Sequence, residues 1–208
     1  MNIFHMPSGP EKDTMTSAPI PERLRKNKRA AIITADHVQD LEFFYPYYRL
    51  NEAGYDVDVI TADGGAFKGE KGFGLPESLA IEKAGPGDYA LVYLPGGKAP
   101  EELRQNDKVI QFVQHFASLG RAIGAFCHGP QILMTAGLTR GRQMACWPGI
   151  EDELTEFGGI FVNEALVIDG PFITGRMPGD LPRFMAGVMD ALEGRLDLTQ
   201  SRDARKSA

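Results

Sequence analysis

Residues 121–136 read Arg121-Ala-Ile-Gly-Ala-Phe-Cys127-His128-Gly129-Pro130-Gln131-Ile-Leu-Met-Thr-Ala136. The first part is a short apolar run ending in small residues, the pattern of a buried parallel strand. After Gly129 the apolar residues Ile132, Leu133 and Ala136 recur at three- and four-residue steps, as on one face of a helix. Pro130 suits a first helical turn, where its missing N–H has no partner to lose. Between strand and helix stands Ala125-x-Cys127-x-Gly129, a small-x-nucleophile-x-Gly elbow with cysteine as the nucleophile. Such a turn lifts the sulfur above the sheet edge, and small residues two positions to either side let the backbones pass. The following helix N-terminus favours thiolate over thiol. A free cysteine is otherwise most often a small buried hydrophobe; the elbow context points instead to a reactive thiol.

Working outward, strands and helices alternate. Arg29–Ala35 is a nearly continuous apolar strand, and a helix is expected from about Leu41 to Ala53, closed by Gly54, with a break or a late start at Pro46. Val57–Thr61 is a second strand. The Gly-rich stretch from Gly64 to Leu79 reads as a small hairpin excursion. Tyr89–Leu94 is a buried strand ending in Pro95-Gly96-Gly97, and Asp107–Leu119 is a helix with an apolar stripe at Val109, Phe112, Val113 and Phe116. Beyond the elbow come an extended piece at 143–146, a short helix at 151–157, short strands with an Asp-Gly turn at 169–170, and a last helix at 179–192. This alternation predicts a doubly wound, mainly parallel α/β sheet with helices on both faces. Residues 1–28 read as a disordered or loosely docked extension, 29–194 as one domain, and 195–208 as a polar tail that frays from Asp197.

The composition excludes several classes. The 208 residues carry a net charge of −6, with 43% hydrophobic and 24% charged residues, ordinary for a globular domain. The longest basic run is Arg23–Arg29, which makes nucleic acid an unexpected partner. No apolar stretch approaches the ~18 residues of a membrane span, so no membrane association is expected. The two cysteines, Cys127 and Cys146, have no paired spacing, and the first residues lack the apolar core of a signal peptide. A cytoplasmic location is therefore expected. The histidines and cysteines show no ligand spacing, so neither metal nor cofactor is expected.

In such a sheet, sites form at the carboxyl ends of the strands. The loops at 36–42 and 95–102 and the elbow meet there. Gly96 and Gly97 are candidates for bringing bare backbone N–H groups close to a substrate oxygen, with the N–H of His128 as the usual further oxyanion donor of an elbow, and Gly129 is a candidate at the substrate as well. His128 is the histidine nearest the thiol in sequence and a candidate base, although consecutive side chains on an elbow tend to diverge. Carboxylates come from Glu42 and from Glu101 or Glu102; Glu42, partly buried near the thiol, is expected to be pushed towards its protonated form. A glutamine amidotransferase also uses such an elbow but needs a downstream His-x-Glu, and no histidine follows position 128.

The segments ADHVQDLEFFYPYYRL (35–50), LPGGKAPEELR (94–104), AFCHGPQILMT (125–135), WPGIED (147–152) and TGRMPGDLPRF (174–184) together make the chain resemble the PfpI type of the ThiJ/PfpI superfamily, from about residue 29 to 193. The resemblance implies a flavodoxin-like, class I glutamine amidotransferase-like sandwich. It implies Cys127 as nucleophile, Glu42 as its carboxyl partner, Trp147 and Arg176 near the pocket, and Glu101 completing a Cys-His pair from a neighbouring subunit. It therefore implies a homo-oligomer, a dimer or a hexamer built from dimers. Cys146-Trp147 and Gly175 depart from the usual Ser-Tyr and Ser at these places, which touches the pocket wall and not the thiol machinery. Three functions are compatible: a cysteine peptidase or amidase acting on a peptide or small-molecule carbonyl, a cofactor-independent glyoxalase III or deglycase acting on methylglyoxal-type aldehydes and their adducts, and a non-enzymatic redox sensor.

Overall fold

A computed structural model describes residues 29–200; the expected N-terminal extension lies outside them. A parallel pair opens the sheet. Strand β1 (Arg29–Ile33) lies between β2 (Asp56–Thr61) and β6 (Tyr89–Leu94), and β6 pairs in turn with β7 (Ala122–Phe126). Apart from the half-buried Arg29, Asp56, Val57, Asp58 and Ala90, these residues are buried, as a sheet covered on both faces requires. Two more strands, β10 (Val167–Asp169) and β11 (Phe172–Gly175), extend the β7 edge, and β5 (Leu79–Ala80) closes the other. The seven-stranded order is β10-β11-β7-β6-β1-β2-β5, parallel except for β10. Helices cover both faces: α1 (Asp40–Glu52) packs with α6 (Leu181–Leu192), and α3 (Asp107–Ser118) with α4 (Pro130–Thr135). The expected doubly wound fold is what the chain adopts.

The Gly-rich stretch is the expected hairpin, β3 (Phe67–Lys68) against β4 (Gly74–Leu75). A second small pair, β8 (Gln143–Met144) with β9 (Ile160–Phe161), flanks the short helix α5 (Glu151–Glu156). Two expectations need correction. The polar tail does not fray at Asp197: half-buried Leu198 packs on the core, and the Gly170 N–H donates to the Gln200 carbonyl at 3.0 Å.

The second correction concerns Pro46. Helix α1 neither breaks nor starts late there; it runs through the proline from Asp40 to Glu52 and ends at Gly54, φ +85°. A proline at 46 removes the N–H that would bond the carbonyl of Glu42, four residues back. That carbonyl is instead satisfied from outside the helix, by the hydroxyl of fully buried Tyr93 on β6, which donates to it at 2.8 Å. The orphan is thus converted into a tie between helix and sheet at residue 42.

Tyr93→Phe should leave that carbonyl buried without a partner and cost about 1–3 kcal/mol of unfolding free energy. In a Pro46→Ala background the restored helical N–H takes over, so the same substitution should cost clearly less. A double-mutant cycle by chemical denaturation measures the difference; equal costs in both backgrounds would show that Tyr93 does not stand in for the missing bond.

Candidate active site

The elbow is strained as its sequence predicts. Cys127 has φ +57°, a left-handed conformation that costs of order 1–3 kcal/mol for a non-glycine residue. Three contacts hold it there. The Cys127 N–H donates to the Gly175 carbonyl on β11 at 3.0 Å, its carbonyl accepts from the Trp147 N–H at 2.8 Å, and the Gly129 N–H closes the turn on the Phe126 carbonyl at 2.7 Å. A Cβ on Gly129 would meet the Leu94 carbonyl oxygen at 2.1 Å, so only glycine lets β6 pass beneath the elbow. Gly129 is therefore a packing glycine, correcting its expected place at the substrate.

Glu42 sits in the first turn of α1 and is fully buried. Each polar group along it is accounted for except one. The Gln39 side chain caps the helix by accepting from the Glu42 N–H at 2.9 Å, Tyr93 takes the carbonyl, and the Gly96 N–H donates to Oε2 at 2.9 Å. Oε1 is buried and makes no hydrogen bond of acceptable geometry among the described residues. The Gly96 backbone runs tightly between the two functional groups: a Cβ there would fall 2.6 Å from Oε2 of Glu42, 2.6 Å from Cβ of Cys127 and 2.8 Å from the His128 nitrogen. Since its N–H is spent on Glu42, Gly96 is not an oxyanion donor, a second correction. The donors that face the sulfur are the N–H groups of Gly97 and His128. Gly97, at φ +76°, is braced by a bridge to Val38.

The carboxyl and the thiol shift each other. Burial drives the Glu42 carboxyl up to about 7, with the Cys127 thiol and the Gly96 N–H pulling the other way. Burial and the adjacent Glu42 carboxylate push the thiol well above its ordinary range, against the two backbone N–H groups. The helix-end argument alone predicts a lowered thiol; it omitted the desolvation of an almost fully buried sulfur. The pair thus passes from two protons to one as pH rises through about 7, and two of the causes that raise the thiol vanish when Glu42 carries the remaining one.

His128 does not diverge from the thiol. Its Nδ1 lies 3.2 Å from Sγ, and its ring stacks on the half-exposed Trp147 indole at 6.2 Å with an interplanar angle of 23°. Burial lowers its basicity, while the negative fields of Glu70, Glu153 and Glu101 raise it. Glu101 lies on helix α2 (Ala99–Leu103) and lines the same pocket of about 610 Å³ within one chain. Trp147 lines it too. Arg176 does not: its guanidinium is tied to Asp180 at 2.8 Å and to the Asn163 side chain at 2.6 Å, which makes it a brace for the loop before α6. Buried Cys146 is pushed up to about 12 by burial and packs in the core.

Sequence reasoning missed Gln39, Glu70, Lys98 and Gln131, which also line the pocket. Gln39 had a signal, since a polar residue three before Glu42 is a helix-capping pattern. Glu70 had none, because only the docking of the β3–β4 hairpin brings it there. Among the described residues no group of side chains is arranged to hold a metal, and no helix is long and apolar enough to cross a membrane.

Fold and site define a flavodoxin-like α/β protein with a cysteine elbow and a buried carboxyl partner. A model of the DJ-1/PfpI family matches residues 28–191, and the chain belongs to that family. Deglycases of Pyrococcus abyssi and Pyrococcus furiosus, the latter named Deglycase PfpI, are 39% and 33% identical to it over 157 and 153 residues. These alignments cover 76% and 74% of this chain and 95% and 92% of the relatives. A solved protein of Anabaena variabilis with a DJ-1/ThiJ/PfpI-like and a ferritin-like domain is 34% identical, with a TM-score of 0.78 over 80% of this chain; this chain spans 48% of it. Drosophila melanogaster DJ-1beta matches with a TM-score of 0.74 at 25% identity, covering 80% of this chain and 90% of that one. The names of the two Pyrococcus relatives suggest an enzyme of this family.

The buried carboxyl makes stability depend on pH. Folded Glu42 keeps a proton up to about 7 that the unfolded chain releases near 4.5. Stability should fall as pH rises through that window, by about 3 kcal/mol in all. Glu42→Gln retains an acceptor for the Gly96 N–H and cannot ionise. Urea unfolding at pH 5 and pH 8 should therefore show the variant gaining on the wild type at the higher pH; equal pH slopes would mean that Glu42 is ionised throughout.

Proposed function

We propose that the protein is a cofactor-independent enzyme acting on α-oxoaldehydes and on their adducts with amines, a glyoxalase III- or deglycase-type activity. The observation that carries the reading is the fully buried Glu42 carboxyl beside Cys127, which burial raises to about 7, where a general acid and base is effective at neutral pH. With one proton between them, the pair reaches a state of thiolate and carboxylic acid. The thiolate attacks the aldehyde carbon, forming the C–S bond, while Glu42 gives its proton to the carbonyl oxygen. The product is a hemithioacetal, and Glu42 is now a carboxylate. It removes the proton from the same carbon to give an enediolate, in which the hydroxyl proton of the first oxygen passes to the second. Return of that proton to the neighbouring carbon leaves a 2-hydroxyacyl thioester. Water then releases the hydroxy acid and regenerates the thiol, so methylglyoxal plus water becomes lactate with no oxidant. With a hemiaminal adduct, C–S formation breaks the C–N bond, the leaving amine takes the Glu42 proton, and the hemithioacetal follows the same course. The names of the two Pyrococcus relatives support this reading.

A second reading is favoured by the contact of 3.2 Å between Sγ and His128 Nδ1. In amide hydrolysis His128 carries the proton from thiol to leaving amine, and a third group orients its ring. Here His128 Nε2 makes no hydrogen bond among the described residues. That reading therefore calls for Glu101 of a neighbouring subunit in a homo-oligomer, whereas the aldehyde reading is complete in one chain.

Cys127→Ser should abolish lactate formation from methylglyoxal, and Glu42→Gln should lower kcat by about 10²–10⁴-fold. His128→Ala should cost much less on methylglyoxal. Chiral lactate assay and release of free amine from a preformed adduct are the readouts. If methylglyoxal and its adducts are inert while peptidyl amides are cleaved with dependence on both Cys127 and His128, hydrolysis is the activity.

A further inference from the structure

The pocket's walls are charged unevenly. Glu70 and Glu101 both line it, and Lys98 is the one lysine or arginine among its lining groups. Glu70 acts on the Glu42 carboxyl, and Glu70, Glu101 and Glu153 all act on the His128 ring, so their negative fields converge where the thiol opens to solvent. Glu153 is neutralised by its ion pair with Arg104 and by a hydrogen bond from Gln131 at 2.8 Å. Neither Glu70 nor Glu101 forms a salt bridge among the described residues. Glu42, fully buried, lines the same pocket, and its Oε1 makes no hydrogen bond of acceptable geometry among the described residues.

Glu70 is exposed, yet its backbone is fixed. The Glu70 N–H donates to the Val38 carbonyl at 2.9 Å, and the neighbouring Lys71 N–H donates to Oδ2 of Asp40 at 2.9 Å. The His37 N–H donates to the Lys68 carbonyl at 2.7 Å. Gly69 lies directly on the buried Asp40 carboxyl, where a Cβ would come within 2.6 Å of Oδ1. The β3–β4 hairpin is thus clamped onto the loop that leads into α1, with Asp40 as the positioning residue and Glu70 carried over the pocket.

We propose that Glu70, with Glu101 in the same pocket, selects substrates whose amine portion carries positive charge and turns away those bearing phosphate or carboxylate groups. This rests on the aldehyde-adduct reading of the site. Of the adducts an α-oxoaldehyde can form, the pocket then favours those on cationic, amino-acid-like amines over those on nucleotides. The physical basis is the field inside a cleft with low-dielectric walls, which concentrates ligands of the opposite sign and excludes those of the same sign.

The test compares the rates at which Cys127 is modified by two methanethiosulfonates of like size, one bearing a trimethylammonium and the other a sulfonate. The thiolate attacks the reagent's sulfenyl sulfur, a mixed disulfide forms and methanesulfinate leaves, so the assay reads the pocket's field without turnover. Cys146 is fully buried, and peptide mapping assigns the site of modification. Relative to a free thiol in solution, the cationic reagent should be favoured by roughly tenfold or more at low salt, and the preference should shrink as salt is added. Glu70→Gln should cut the preference several-fold, and Glu70→Lys should cut it further. The same order should appear in amine release, with an adduct on a peptide flanked by trimethyllysine outpacing a guanosine monophosphate adduct. A rate ratio in the wild type no greater than that of a free thiol, or a preference that survives Glu70→Lys, overturns the inference and leaves the aldehyde chemistry standing. A charge preference without any Cys127-dependent turnover of methylglyoxal or its adducts would instead sink the proposed activity and retain the charged pocket.

Discussion

A carboxyl group held out of water against a thiol is the constraint around which this molecule is built. Glu42 stays buried because its neighbours absorb each of its polar demands but one. Gln39 takes its N–H, Tyr93 its carbonyl and Gly96 one carboxyl oxygen. These partners come from the cap of α1, the carboxyl end of β6 and the loop beyond it, so fixing one side chain fixes the register of helix against sheet. The proline within α1 belongs to the same arrangement. By withholding the N–H that would bond residue 42, Pro46 leaves a carbonyl that only a correctly seated Tyr93 satisfies. A helix that slid or rotated would bury that carbonyl alone, so the defect serves register.

The fold was legible because its signals are local. Buried strands such as Ala30–Ile33 and Leu91–Leu94 are continuous apolar runs, and helix ends are marked by Gly54, Gly120 and Gly194, all at positive φ. The elbow was legible for the same reason, since its strain is written into adjacent residues. Long-range facts were not. Pro46 read as a break because propensity knows nothing of Tyr93, which lies 51 residues after the carbonyl it serves. Arg176 read as a pocket residue because its neighbours form a motif, yet Asp180 and Asn163 claim its guanidinium. Gly96 and Gly97 look alike in sequence, and only the direction of each N–H separates a donor to Glu42 from a donor to the sulfur.

The thiol's raised pKa also bears on which of the compatible chemistries the site suits. Thiolate is both the nucleophile and the form that oxidants attack. A sensor needs that form standing free at neutral pH, and here burial and the Glu42 carboxylate oppose it. The thiolate becomes accessible in the microstate where Glu42 holds the shared proton, and in that state the acid stands ready for an oxygen. A carbonyl substrate uses both halves at once, since its carbon takes the sulfur and its oxygen takes the proton. An alkyl halide uses only the sulfur and gains nothing from the acid. The arrangement therefore favours a reaction in which charge never has to be separated in a dry pocket. Its burial cost falls on the stability of the fold, and its benefit appears when a polarised C=O bond lies between the two groups.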